Sequence, residues 1–243
     1  MSKKTKDEPI KSMDKYPPIE FITTGVPAID EICGGFPKSR ITEIYGKKSV
    51  GKTTLIMMML AAISKDHKVL FIDAENALNV ARLEELGADV KNIDFSTESV
   101  LDEIGELILA NLSKYDAIIL DSVAGTIHQS EVTSAVGDHN VGQKGKVMNS
   151  IFSRRVPGPL AKTKCALILI NQLRDSFNMY GDKTYTPGGK AIEYAASLRI
   201  ELNTLAADRI KEGSEQVGHF VTAKITKSKV SRPYQTARFK VMY

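Results

Sequence analysis

Five short apolar runs, ITEIY (41–45), KVLFID (68–73), AIILD (117–121), ALILIN (166–171) and LRIEL (198–202), recur along this chain with longer helix-compatible stretches between them. A strand that is apolar along its whole length must be covered on both faces, and segments such as 53–65 and 99–113 are long enough to serve as covering crossover helices. The pattern predicts an α/β fold with a mostly parallel central sheet flanked by helices. The end of the chain reads differently. HFVTAKITKSKV and QTARFKVMY alternate apolar and polar residues around SRP, which predicts an antiparallel C-terminal hairpin at one edge of the sheet. No internal repeat is visible.

With 243 residues and 42% apolar content, the chain is expected to form one domain over 20–243, with no separate C-terminal domain. Residues 1–19 are charged, carry Pro17 and Pro18 and lack periodicity, so they read as an extended arm suited to subunit contacts. The net charge of +4 permits a polyanionic partner without requiring one. LIMMMLAAI is too short to cross a bilayer, and the Lys-rich start has no apolar run behind it. The expectation is a soluble, cytoplasmic protein with no membrane partner. Cys33 and Cys165 both sit in apolar surroundings and read as buried reduced thiols; no Cys/His cluster has metal-ligand spacing.

The stretch GKKSVGKTT, which comprises Gly46, Lys47, Lys48, Ser49, Val50, Gly51, Lys52, Thr53 and Thr54, has the spacing of a phosphate-binding loop and lies between a strand run and a helical run. Glycine at 46 and 51 lets backbone N–H groups close on phosphates, and the following helix adds its positive N-terminal dipole. In this reading Lys52 reaches the β and γ phosphates of ATP, and the Thr53 hydroxyl ligates Mg2+. Three polar residues then fall at strand ends, where a parallel sheet gathers them beside the loop. Asp121 would hold magnesium through its water shell or cap a helix. Glu75 would act as general base on water, or be a cap or a solvated charge. Gln172 would sense the γ-phosphate or make a structural hydrogen bond.

Seven segments, EIYGKKSVGKTT, FIDAENAL, LDSVAG, VGDHNVG, INQLR, TPGGKAIEYAASLRIEL and TKSKVSRPY, occur in the order and spacing of the RecA-type strand-exchange recombinases, which the chain resembles from about Thr23 to Tyr243. The resemblance implies a RecA-like ATPase core that forms ATP-dependent helical filaments on single-stranded DNA and pairs it with homologous duplex DNA. It implies Glu75 as catalytic glutamate, Asp121 as magnesium aspartate and Gln172 as γ-phosphate switch. Lys227 and Lys229 match a lysine pair that reaches a neighbouring subunit's ATP, as an arginine finger supplied in trans would; on the residues alone they read as a solvated edge strand. Tyr194 matches an aromatic position at the subunit interface, with an ordinary core tyrosine as the alternative.

Two glycine-bearing segments are expected to face DNA. The first, around 134–146 and the helix after it, offers Lys144, Lys146, Asn149 and Arg154. The second, 173–189, offers Arg174, Phe177, Met179, Lys183, Gly188 and Gly189; cations and backbone amides meet phosphates, and apolar side chains wedge between bases. Without the resemblance this second loop reads more readily as a lid or a protein contact than as a nucleic-acid contact. The chain also departs from the bacterial pattern. Asn79 and Arg82 replace an Asp and a Tyr that commonly hold adenine, and Ser153 replaces an expected Arg; against the resemblance, a shorter arm and no additional carboxy-terminal domain are expected. A minimal core of this size suits a phage or mobile-element enzyme. The competing readings are a recombination mediator that binds ATP and DNA with little turnover and a ring-shaped helicase motor. A loader or single-strand-binding protein is an expected accessory partner.

Overall fold

The computed structural model describes residues 12–133, 141–175 and 184–242. Among them a nine-stranded sheet forms from β1 Ile41–Gly46, β2 Val69–Asp73, β3 Ile93–Ser96, β4 Ala117–Asp121, β5 Ala166–Gln172, β6 Leu198–Asn203, β7 Arg209–Glu212, β8 Glu215–Ser228 and β9 Thr236–Met242. Six strands run parallel in the order β6-β1-β5-β4-β2-β3. The long β8 then pairs antiparallel with β6 through one half and with β7 through the other, while β9 pairs antiparallel along its opposite side. This is the parallel sheet with an antiparallel edge that the apolar runs and the alternating tail predicted.

The strand residues alternate between two buried layers. Val69, Phe71, Ala117, Ile119, Ile168 and Ile170 join a core with helices α1 (Pro27–Cys33) and α2 (Lys52–Ile63). Leu70, Ile72, Ile118, Leu120, Leu167 and Leu169 face the other way, against α4 (Leu101–Asn111), a π-helix over Asn149–Arg155 and the helix Gly189–Ala195. A short α3, Val80–Glu85, lies between these helices in sequence. Strand residues such as Ile119 and Leu169 are fully buried, each worth about 1.5–3 kcal/mol relative to exposure. That two-sided burial is why these strands carry no polar face.

The arm is described only from residue 12 onward. It contains one 3-10 turn, Met13–Lys15, and then runs beside the main body, where the Tyr16 hydroxyl accepts from Arg40 at 3.2 Å and Glu20 pairs with Lys164 at 2.6 Å. Cys33 and Cys165 are free and buried, and burial pushes their thiols up to about 11 and about 12 respectively, so both are unreactive in the folded chain. Among the described residues no helix is long and apolar enough to cross a membrane.

Candidate functional site at the carboxyl edge of the sheet

Parallel pairing brings the strand ends into one row. Gly46 pairs with Gln172 on one side and Leu202 on the other, and Asp121 pairs with Asp73. Gly46 has to be glycine, because a Cβ there would stand 2.5 Å from the Leu202 carbonyl oxygen. Gly51 caps α2 with φ 93°, a left-handed conformation that other residues rarely adopt. The chain turns between them with Ser49 also at positive φ. The Lys52 ammonium folds back over this turn, donating to the Gly46 and Lys47 carbonyls at 3.1 and 2.7 Å. The result is a closed loop ahead of a twelve-residue helix, whose unpaired N–H groups and dipole favour an anion.

Against the loop lies an open cavity of about 400 Å³ lined by Lys48, Ser49, Gly51, Lys52, Thr53 and Thr54 from the loop and helix, and by Glu75, Asp121, Gln172 and His219 from the strands around it. The sequence-predicted residues Lys52, Thr53, Glu75, Asp121 and Gln172 thus converge on one space. Glu75 is exposed at the cavity edge, and its Oε1 accepts from Gln172 Nε2 at 2.9 Å and from the Ser122 hydroxyl. Neighbouring Asp73 has a different task, accepting the Ala77 and Leu78 amides at 3.1 and 3.0 Å and shaping the turn that carries Glu75.

Asp121 is almost fully buried, and its carboxyl is pushed up to about 7, first by desolvation and then by the nearby Glu75 and Asp73 charges, against the pull of Lys52. Desolvation also holds the Lys52 ammonium below its usual range, opposed by Asp121 and Glu75. A carboxyl raised in this way binds protons more tightly folded than unfolded. Its cost to stability is absent below the unfolded value near 4, grows as pH rises and is complete above about 7. Without metal or nucleotide, Asp121→Asn should therefore gain stability over the wild type by an increment that grows between pH 4 and 7, to the order of a few kcal/mol. Urea midpoints across that range check this, and a gain that shrinks with rising pH contradicts it.

His219 was not among the residues picked out from the sequence. It sits on β8 with its Nε2 3.3 Å from the Val50 carbonyl and its ring against Gly51, forming part of the cavity floor. In the alternating tail it reads as one more strand residue, and only the pairing of β8 beside β6 carries it under the loop.

The other predicted residues are distributed away from this cavity. Lys227 donates to the Glu193 carbonyl at the end of the helix Gly189–Ala195 and to the Tyr194 carbonyl at 3.1 Å, while Lys229 and the Tyr194 ring are exposed. Exposure of Tyr194 (64%) removes the core-tyrosine alternative. Lys144 turns inward and donates to the Thr126 carbonyl, whereas Lys146, Arg154 and Arg174 are exposed and Asn149 opens the π-helix half-buried. The roots of the two predicted DNA segments touch through Met148 and Gly188, and Gly189 begins the helix beyond. Phe177, Met179 and Lys183 lie outside the described residues. Asn79 caps α3 by accepting the Arg82 amide at 3.1 Å, and the Arg82 guanidinium pairs with Glu85 at 2.8 Å. Ser153, at the position of the expected Arg, donates to the Ala191 carbonyl at 2.9 Å.

Comparison with known proteins agrees with this arrangement. The sequence model of the RecA N-terminal domain matches residues 6–243. Proteins named Protein RecA from Aquifex aeolicus and Clostridium acetobutylicum are each 37% identical to the chain, over 241 and 231 residues, covering 97% and 93% of it and 69% and 65% of their own lengths. The one from Sulfurimonas denitrificans is 38% identical over 233 residues, 93% of this chain and 67% of that protein. The chain spans about two thirds of the length of these relatives, and across that span it belongs to the RecA family.

Proposed function

We propose that the chain is a DNA-dependent ATPase that assembles into helical filaments on single-stranded DNA and catalyses homologous pairing and strand exchange. The observation that carries the reading is the Glu75–Gln172 hydrogen bond beside the phosphate loop. It ties a base for water to the strand end from which the second predicted DNA segment departs.

The residues present suit ATP and magnesium. The narrow approach at Gly46, the left-handed Gly51 and the start of α2 form a phosphate cradle, and Lys52 needs only to exchange two carbonyl partners for phosphate oxygens. Lys47, Lys48, Ser49, Val50 and Thr54 complete the nucleotide-binding set. A buried, charge-strained Asp121 and the Thr53 hydroxyl share the cavity, an oxygen pair that fits Mg2+, which keeps most of its waters and takes few protein ligands. When bound, the magnesium neutralises phosphate charge. Glu75 holds and deprotonates the attacking water, Gln172 registers the γ-phosphate through its amide, and Lys227 and Lys229 serve the ATP of an adjoining subunit. Lys146, Asn149, Arg154 and Arg174, with Lys144 once freed from its carbonyls, meet the DNA backbone together with Phe177, Met179, Lys183 and the Gly188 and Gly189 amides. The reaction is cytoplasmic, and the arm over 1–19 contributes to subunit contacts.

ATP hydrolysis measured with and without single-stranded DNA across a protein titration tests the reading. Strong stimulation that rises cooperatively with protein is expected. Confirmed ATP binding without turnover would overturn it in favour of a mediator.

A further inference from the structure

Gln172 follows a residue whose side chain is engaged more completely than its own. Asn171 is wholly buried, and each of its amide atoms is used. Its Nδ2 donates to Glu43 Oε1 and to the Pro187 carbonyl, both at 2.9 Å, and its Oδ1 accepts the Gln172 backbone N–H at 3.0 Å. Pro187 lies on the far side of the segment that leaves the sheet after Gln172. One side chain therefore grips the chain where that segment departs and where it returns.

The grip is anchored in charge. Glu43, also fully buried, accepts from Arg199 Nε at 2.6 Å through its other carboxylate oxygen. Arg199 in turn pairs with Glu193 at 3.2 Å and stacks over Tyr45 with its guanidinium 4.7 Å from the ring centre. A buried carboxylate with both oxygens occupied is a rigid post, because losing Arg199 leaves an unpaired charge in the core and losing Asn171 leaves an unsatisfied oxygen. On the other side, the Leu173 N–H donates at 2.9 Å to the Gly46 carbonyl, the same oxygen that holds Lys52. The departing strand end is thus fixed to the phosphate loop and the returning end to the buried ion pair, with Asn171 as the link between them.

We infer that Asn171 is a positioning residue that clamps both ends of the segment between Gln172 and Pro187 to the buried Glu43–Arg199 pair. In this way it sets the placement of the Gln172 amide against Glu75. The part concerning coupling to DNA rests on the function proposed above; the clamp itself does not.

Two variants separate the clamp from general stability. Asn171→Ser is too short to reach both Glu43 and Pro187. Asn171→Asp keeps the volume and the acceptor for the Gln172 amide but loses the donors to both Pro187 and Glu43 and sets its carboxyl against that of Glu43, so one reports if the other fails to fold. Leu169→Ala, a core deletion two residues earlier on the same strand, is the comparator, with urea used to bring all variants to equal stability. Trypsin cleavage after the exposed Arg174, followed without DNA, is expected to be at least five-fold faster in the Asn171 variants than in Leu169→Ala. Stimulation of ATP hydrolysis by single-stranded DNA is expected to fall at least ten-fold, while the affinity for a fluorescent ATP analogue changes less than three-fold. Cleavage no faster than in the comparator overturns the clamp. Faster cleavage with undiminished stimulation overturns its part in placing Gln172. If the wild type itself shows no stimulation, the proposed function fails while the cleavage comparison still decides the clamp.

Discussion

Glu75→Gln is expected to lower the turnover number for ATP by about 10²–10⁴-fold, the usual contribution of a positioned general base, while leaving ATP binding intact. The local geometry makes this a clean substitution. Among the described residues, both hydrogen bonds to the Glu75 side chain fall on Oε1, from Ser122 and from Gln172, and the amide oxygen of glutamine can accept the same two donors. The charge that disappears is one of those raising the Asp121 carboxyl, so its removal favours the ionised aspartate that magnesium needs. Nucleotide binding should therefore be kept or improved. Filaments should form with ATP and then persist, because the step that dissolves them is blocked. Hydrolysis assays paired with electron microscopy of the same samples check this. Wild-type turnover in Glu75→Gln would show that the base lies elsewhere, and lost filaments would show that the glutamate supports assembly instead.

The same site shows what the sequence discloses and why. Strands buried on both faces announce themselves as unbroken apolar runs, so β1, β2, β4, β5 and β6 are readable within a residue or two, and their shared direction lines up Gly46, Asp121 and Gln172 without further information. β3 is different. It is a four-residue edge strand with Phe95 69% exposed, and having only one covered side it shows no apolar run to recognise. β7 is four residues of mostly exposed, charged character and depends on β8 for its existence. Side-chain roles follow a similar division. A residue whose position follows from its place at a strand end is legible, as the approach of Glu75 to the phosphate loop is. Asn171 is not, because it sits inside an apolar run and its partners Glu43, Pro187 and Gln172 meet only when the sheet is assembled. Lys144 marks the converse: composition counts it among the cations of a glycine-rich loop, while the fold turns its ammonium onto buried carbonyls and desolvation lowers its pKa.

Replacing Lys227 and Lys229 together by alanine is expected to depress DNA-stimulated hydrolysis by about 10³-fold or more, the scale of an arginine finger supplied by a second subunit. Neither lysine lines the cavity of its own chain. Lys227 instead rests on the Glu193 and Tyr194 carbonyls at the end of a helix, its pKa lowered by desolvation and then by Lys229 and Arg199. A cation at a helix C-terminus contributes only about 0.3–1 kcal/mol, so the double variant should fold, and an isolated subunit should bind nucleotide as before. A large kinetic loss beside a small loss of stability is what a residue held ready for another molecule predicts. Mixing makes the argument decisive. Lys52→Ala keeps the lysine pair but has no working phosphate site, whereas the double variant keeps the site but lacks the pair, and both should be inactive alone. In mixed filaments every junction that sets a Lys52→Ala subunit against the intact site of the double variant restores one complete centre. Hydrolysis should therefore reappear and peak near equal proportions. A mixture as inactive as its components, in filaments shown by microscopy to contain both, would mean that the lysines act within their own chain or do not act on ATP.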